Sequence, residues 1–249
     1  MEKSIRKIIL LLITALFSLS LSAQEASVRE QIRIRVWSEM DAYPGGSFED
    51  DSLDIKVEGS SEDEDAVKDD DDLALYRYAI NRVRELSPYL VSGMLYGWDF
   101  DYVPSDKTRQ VSEEFDFNLI KSFDKSVNLL TMHYPIVKDE QLVTWVWCSR
   151  TDEQISLYDN WISITNPKIH GTGSASVEKG FEGVQEACGQ AIKNAVRSYY
   201  QQTVKNKPKE ITGKVILSKE PRIYIKNGLY TVDLDFFMET DRIILYTFY

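Results

Sequence analysis

The stretch GVQEACGQAIKNAVRSYY, Gly183 to Tyr200, decides how the rest of the chain is read. Val184, Ala187, Cys188, Ala191, Ala195 and Tyr199 recur at spacings of three and four, the period of one helical face. That face is made largely of small residues, so the helix can approach its neighbour closely. Asn206-Lys207-Pro208 ends it, because proline cannot continue a helix, and Lys205, Lys207 and Lys209 suit the negative end of its dipole. The pattern then changes to period two. Ile211 to Leu217, Arg222 to Lys226 and Leu229 to Phe237 read as strands, with Tyr230, Val232, Leu234 and Phe236 alternating against Thr231, Asp233 and Asp235. Asn227-Gly228 is the two-residue signature of a tight hairpin.

The same order of elements occurs upstream. Leu73, Tyr76, Ile80 and Val83 mark a helix that stops at Ser87-Pro88. Met94 to Val103 and Val111 to Ile120 follow as strands, and Phe115, Phe117 and Leu119 alternate with Asp116 and Asn118, which leaves one face wet. Ser126 to Ile164 supplies further strands between the halves. The fold class is therefore α+β: antiparallel sheets with two amphipathic helices. Short matches link the halves: Ala79 to Arg84 resembles Ala191 to Arg197, Ser92-Gly93 parallels Thr212-Gly213, and Glu114 to Phe117 parallels Asp233 to Phe236. Two repeated helix-on-sheet units, 73–123 and 177–249, are one account of them, and chance is the other.

Lys3, Arg6 and Lys7 precede an uncharged run from Ile8 to Leu21 that closes on Ser22-Ala23, the pattern of a secretory signal peptide over 1–23. No cysteine follows to take a lipid, so the expected product is a soluble periplasmic protein, 24–249, without a membrane anchor. Losing that leader removes three bases and one acid and takes the formal charge from -11 to -13. Such a chain is repelled by phosphates, and nucleic acid is not expected as a partner. Within 48–72, thirteen carboxylates meet only Lys56 and Lys68, which reads as a solvated, disordered insertion. It lacks the spacing of a calcium loop.

Cys148 and Cys188 admit two readings. A bond between them would close a loop of about 40 residues and add about 4 kcal/mol of stability. Equally, Cys188 lies on the small helical face and Cys148 ends an apolar strand, as buried thiols do. His133 and His170 belong to no ligand cluster, so neither a metal site nor a cofactor is expected. His170-Gly171-Thr172-Gly173 reads as a glycine-rich turn, since no GxSxG nucleophile accompanies it. Asp99-Phe100-Asp101 lies on an alternating strand, which explains both acids as an exposed face. Trp145 and Trp147 lie in a run, Val143 to Cys148, that is apolar on both faces and hence buried or covered by a partner. The apolar C-terminus, with Thr247 and Tyr249, reads as a second contact region. These four residues are the interface candidates, and no catalytic residue is assigned.

Four stretches, RIRVWSEMDAYPG (Arg33 to Gly45), GWDFDYVPSDKTR (Gly97 to Arg109), HGTGSASVEKGFEG (His170 to Gly183) and NKPKEITGKV (Asn206 to Val215), together resemble small exported spirochaete proteins of the outer layer, or sheath, of the periplasmic flagellar filament. The resemblance implies a non-enzymatic sheath component that binds the flagellin core and other sheath proteins and contributes to motility. The two helices depart from the mostly β architecture of the major sheath protein, which points to an accessory component. Two other readings compete. One is a periplasmic binding module in which Trp98, Trp145 or Trp147 stacks on a glycan. The other is a hydrolase using paired acids among Asp99, Asp101 and Asp116, which would need a cleft and a raised pKa.

Overall fold

The computed structural model describes residues 30–40, 56–58, 76–163 and 165–246. The leader, most of the acidic stretch, and both Thr247 and Tyr249 lie outside the described residues. Strands β1 (Gln31–Glu39), β2 (Lys56–Glu58), β5 (Leu130–Lys138) and β6 (Gln141–Ser149) form sheet A in the order β1-β6-β5-β2. Strands β3 (Trp98–Val103), β4 (Glu114–Leu119), β7 (Lys168–Ser176), β8 (Pro208–Leu217) and β10 (Leu229–Leu245) form sheet B in the order β4-β3-β8-β10-β7, and β9 (Arg222–Lys226) pairs with β10. All pairings between these strands are antiparallel except that of β2 with β5. The α+β class with antiparallel sheets is thus the observed one. Because β2 falls inside 48–72, that stretch is not wholly outside the fold.

Helices α1 (Arg77–Leu95) and α3 (Phe181–Thr203) fill the space between the sheets. α1 packs on β1 and β6 of sheet A and on β8 of sheet B, while α3 packs on β7 and β10. One continuous apolar core joins them, running from Ile34 and Met132 of sheet A through Leu90 and Ile192 to Val215 and Phe236 of sheet B.

Several expectations are corrected. α1 does not stop at Ser87-Pro88 but runs to Leu95, so Met94 and Leu95 are helical and the next strand begins at Trp98. Tyr89 to Leu95 are buried between two sheets, where an unwound backbone would strand its N–H and C=O groups; that cost exceeds the bond proline forgoes. Gly93 is therefore helical whereas Gly213 is in β8, so the two glycines are not structural equivalents. A third helix, α2 (Asp152–Trp161), interrupts the expected strands, capped by Thr151 and Gln154 in a reciprocal box. Its Trp161 closes over Ile216 and Phe237 on the outer side of sheet B. β10 continues past Phe237 to Leu245 with a register shift near Asp241. His170-Gly171-Thr172-Gly173 is not a turn but part of β7.

Gly171 and Gly173 point at α3. A side-chain carbon on Gly171 would overlap the Ala191 carbonyl, and one on Gly173 the Ala187 carbonyl. The small face of the helix and the glycines of the strand thus form one close contact. At Asn227-Gly228, φ values of 54° and 72° give the expected hairpin turn, and Gly228 has open space around it.

Cys148 and Cys188 are free and buried, so the disulfide reading is set aside. Cys148 lies in sheet A and Cys188 in α3 beside Tyr89. Burial pushes both thiols up to about 12.

Where the layers meet, Glu39 of β1 faces Arg82 of α1 and Tyr230 of β10. The Tyr230 hydroxyl donates to Glu39 Oε2 at 3.5 Å, while Oε1 is buried without a hydrogen-bond partner. Burial pushes this carboxyl above its ordinary value, outweighing the lowering by hydrogen bonds and by Arg82.

These features yield three expectations. Gly173→Ala should lower unfolding stability in urea by about 3 kcal/mol or more, through steric overlap, whereas Gly228→Ala should cost only about 1 kcal/mol. Maleimide at pH 8 should find no reactive thiol in the native chain and both after denaturation; a native disulfide would give none in either state without reductant. Glu39 binds its proton more tightly when folded, so its contribution is favourable below the ordinary carboxylate range and is lost as pH rises from 4.5 through the raised value. Glu39→Gln should therefore raise the melting temperature at pH 7 and change it little at pH 4.

Candidate functional site

Sheet A has one face on the core and one in solvent, and the outer face carries the candidate site. Along β1, Ile32, Ile34, Val36 and Ser38 point inward, which places Gln31, Arg33, Arg35 and Trp37 on the other side, while Glu39 at the strand end turns in towards Arg82 and Tyr230. Along β6, Leu142, Thr144, Val146 and Cys148 are buried, while Trp145 and Trp147 point outward. Register sets Arg33 beside Trp147 and Arg35 beside Trp145, and β5 adds Thr131 and His133 to the same two rows. The run Val143 to Cys148 is thus open on one side: Trp145 is 40% exposed.

The rings and cations on this face interlock. The Arg33 guanidinium lies 4.3 Å from the Trp147 ring centroid, and His133 stacks on Trp147 with centroids 4.0 Å apart at 28°. Such contacts hold a weakly hydrated cation over a ring without removing its charge.

A cleft of about 580 Å³ adjoins the face, between β1 and β6 on one side and the β8–β9 connection with β9 on the other. Trp37, Val143 and Trp145 line one wall and Ile223, Tyr224 and Ile225 the other. Two hydrogen bonds tie the walls together. The Arg35 backbone N–H donates to Glu220 Oε1 at 2.6 Å, and Trp37 Nε1 donates to the Ile223 carbonyl at 2.8 Å.

The other sequence candidates fall elsewhere. Trp98 is buried against Tyr89 and Phe236 and cannot meet a glycan. Asp99, Asp101 and Asp116 stand on the open outer surface of sheet B, with Asp101 opposite Asp116 in the β3–β4 register. His170 sits between Asp233 and Asp235, which also meet Arg222 and Lys219. A second cleft of about 380 Å³ contains Tyr102, Glu113 and Arg197. There the Tyr102 hydroxyl donates to Glu113 Oε1 at 2.9 Å and Arg197 pairs with the same carboxylate. Burial and that hydrogen bond push the phenol up to about 12, and Lys205 and Lys207 also line the cleft. Among the described residues, no three His, Cys, Asp or Glu side chains are grouped to hold a metal ion, and no helix is long and apolar enough to cross a membrane.

Of the site residues expected from sequence, Trp145 and Trp147 come together on one surface. Trp37, Arg33, Arg35 and Tyr224 were missed. The alternation of Arg33, Arg35 and Trp37 with Ile32, Ile34 and Val36 was a readable signal for the first three; the approach of β9 was not readable from local pattern.

A protein of Treponema pallidum (strain Nichols), described as "Uncharacterized protein", is 27% identical over 179 residues, which is 67% of this chain and 70% of the relative. No solved structure matches. A protein-family model matches residues 20–246, and the chain belongs to the family that this model describes.

Proposed function

We propose that the chain is a non-enzymatic component of the outer layer of a periplasmic flagellar filament, held against the flagellin core and other sheath proteins through the outer face of sheet A. The observation that carries the reading is that face, where Trp145, Trp147, Arg33 and Arg35 stand in two adjacent rows open to solvent. The first of the four resembling stretches supplies Arg33, Arg35 and Trp37 to it. Support also comes from the relative's source, a spirochaete, the group to which the resemblance points. Contacts of this size are individually modest and become strong when repeated along a filament.

Periplasmic flagella purified from the native cell should carry the chain along their length, by mass spectrometry and immunogold labelling. Arg33→Glu combined with Trp147→Ala should leave the circular dichroism spectrum unchanged and deplete the chain from filaments by about tenfold or more. Clean filaments without the native chain would overturn the proposal.

A further inference from the structure

We infer that the cleft between sheet A and β9 is a binding site for an acidic saccharide. This does not depend on the filament reading. The site is framed by Arg35, Trp37, Gln141, Trp145, Glu220 and Tyr224, and its volume of about 580 Å³ lies within the range of small-ligand sites.

Three observations converge there. First, two aromatic rings flank one cleft with much of their surface in solvent: Trp145 is 40% and Tyr224 43% exposed. Rings of this kind offer an apolar surface to the C–H faces of a sugar, and Gln141 and Glu220 offer planar polar groups to its hydroxyls. Second, the Arg35 guanidinium has no carboxylate partner among the described residues. Arg82, Arg109, Arg197, Arg222 and Arg242 each have one, and Arg33 is engaged by Gln31 and Trp147. In a chain with 40 acids against 29 Lys and Arg residues, an unpaired guanidinium beside an exposed indole is a ready partner for a carboxylate or sulfate. Third, a peptide that added itself as a strand would need the backbone groups at the cleft. The Arg35 N–H is already held by Glu220 and the Ile223 carbonyl by Trp37. Recognition is left to rings, guanidinium and side-chain amide, which suits a saccharide and not a strand.

Calorimetric titration of the full chain with oligogalacturonate, a chondroitin sulfate oligosaccharide, neutral maltohexaose and poly-glutamate tests this. At least one acidic oligosaccharide should bind with a Kd below about 1 mM, about tenfold tighter than maltohexaose. Arg35→Gln should erase that preference. Trp145→Ala and Tyr224→Ala should each weaken binding about tenfold, and Trp147→Ala, outside the cleft, should not. Any one of four results overturns the inference: no binding of either acidic oligosaccharide at about 5 mM, equal binding of maltohexaose, tighter binding of poly-glutamate, or indifference to both aromatic substitutions.

Discussion

The approach of α3 to β7 is the contact on which the remaining architecture depends. A strand with no side chain at Gly171 and Gly173 receives a helix whose face is Ala187, Ala191 and Ala195, so backbone meets backbone. This closeness lets long polar side chains on the helix reach the sheet. Gln190 Oε1 accepts from the Ser174 N–H at 2.7 Å, and Asn194 Nδ2 donates to the Thr172 carbonyl at 2.8 Å. Both satisfy groups on the unpaired side of β7, an edge that would otherwise invite another chain. One seam therefore fixes the depth of the helical layer and closes one end of sheet B.

The free edge of β1 is treated in a related way. Glu220 takes the Arg35 N–H, and Trp37 spans to β9. With these edges guarded by side chains, what remains for a partner is a sheet surface rather than a sheet edge. On sheet B the outer surface is capped at one end by Trp161 and elsewhere carries ion pairs, such as Arg222 with Asp233 and Arg242 with Glu210, beside the exposed acids Asp99, Asp101 and Asp116. Sheet A instead presents indole rings and, in Arg33 and Arg35, guanidinium groups that meet no carboxylate among the described residues. The asymmetry between the two outer surfaces is what singles out the candidate site.

Much of this was legible in local pattern. The α+β class, α3, the extent of β9 and the Asn227-Gly228 turn follow from period and turn chemistry. What failed did so for tertiary reasons. Pro88 reads as a stop because a proline interrupts an isolated helix, yet burial of Tyr89 to Leu95 between two sheets overrides it. The glycines of β7 read as a turn because nothing local says that a helix lies over them. α2 was a missed signal and not a tertiary effect, since Thr151 and Gln154 form a capping box visible in sequence. In the candidate site, the rings of β6 were readable, but their company was not. Sheet order brings Arg33 and Arg35 beside them, and the turn from β8 into β9 supplies the facing wall.

The charge balance constrains how such a face can work. At distances beyond the Debye length, about 8 Å at physiological salt, an acidic partner meets a chain of net charge -11, and whatever field survives screening is repulsive. Only within a few ångströms does it meet Arg33 and Arg35. Long-range steering therefore cannot favour an acidic ligand here, and selectivity must come from contact: a guanidinium 4.3 Å from an indole centroid, and a second one that meets no carboxylate among the described residues, beside a ring-lined cleft. A ligand of this cleft must therefore place an apolar surface on Trp145 while a negative group reaches Arg35. Specificity by shape, with charge acting only at the last step, is what the alternation of arginine and isoleucine along β1 makes available.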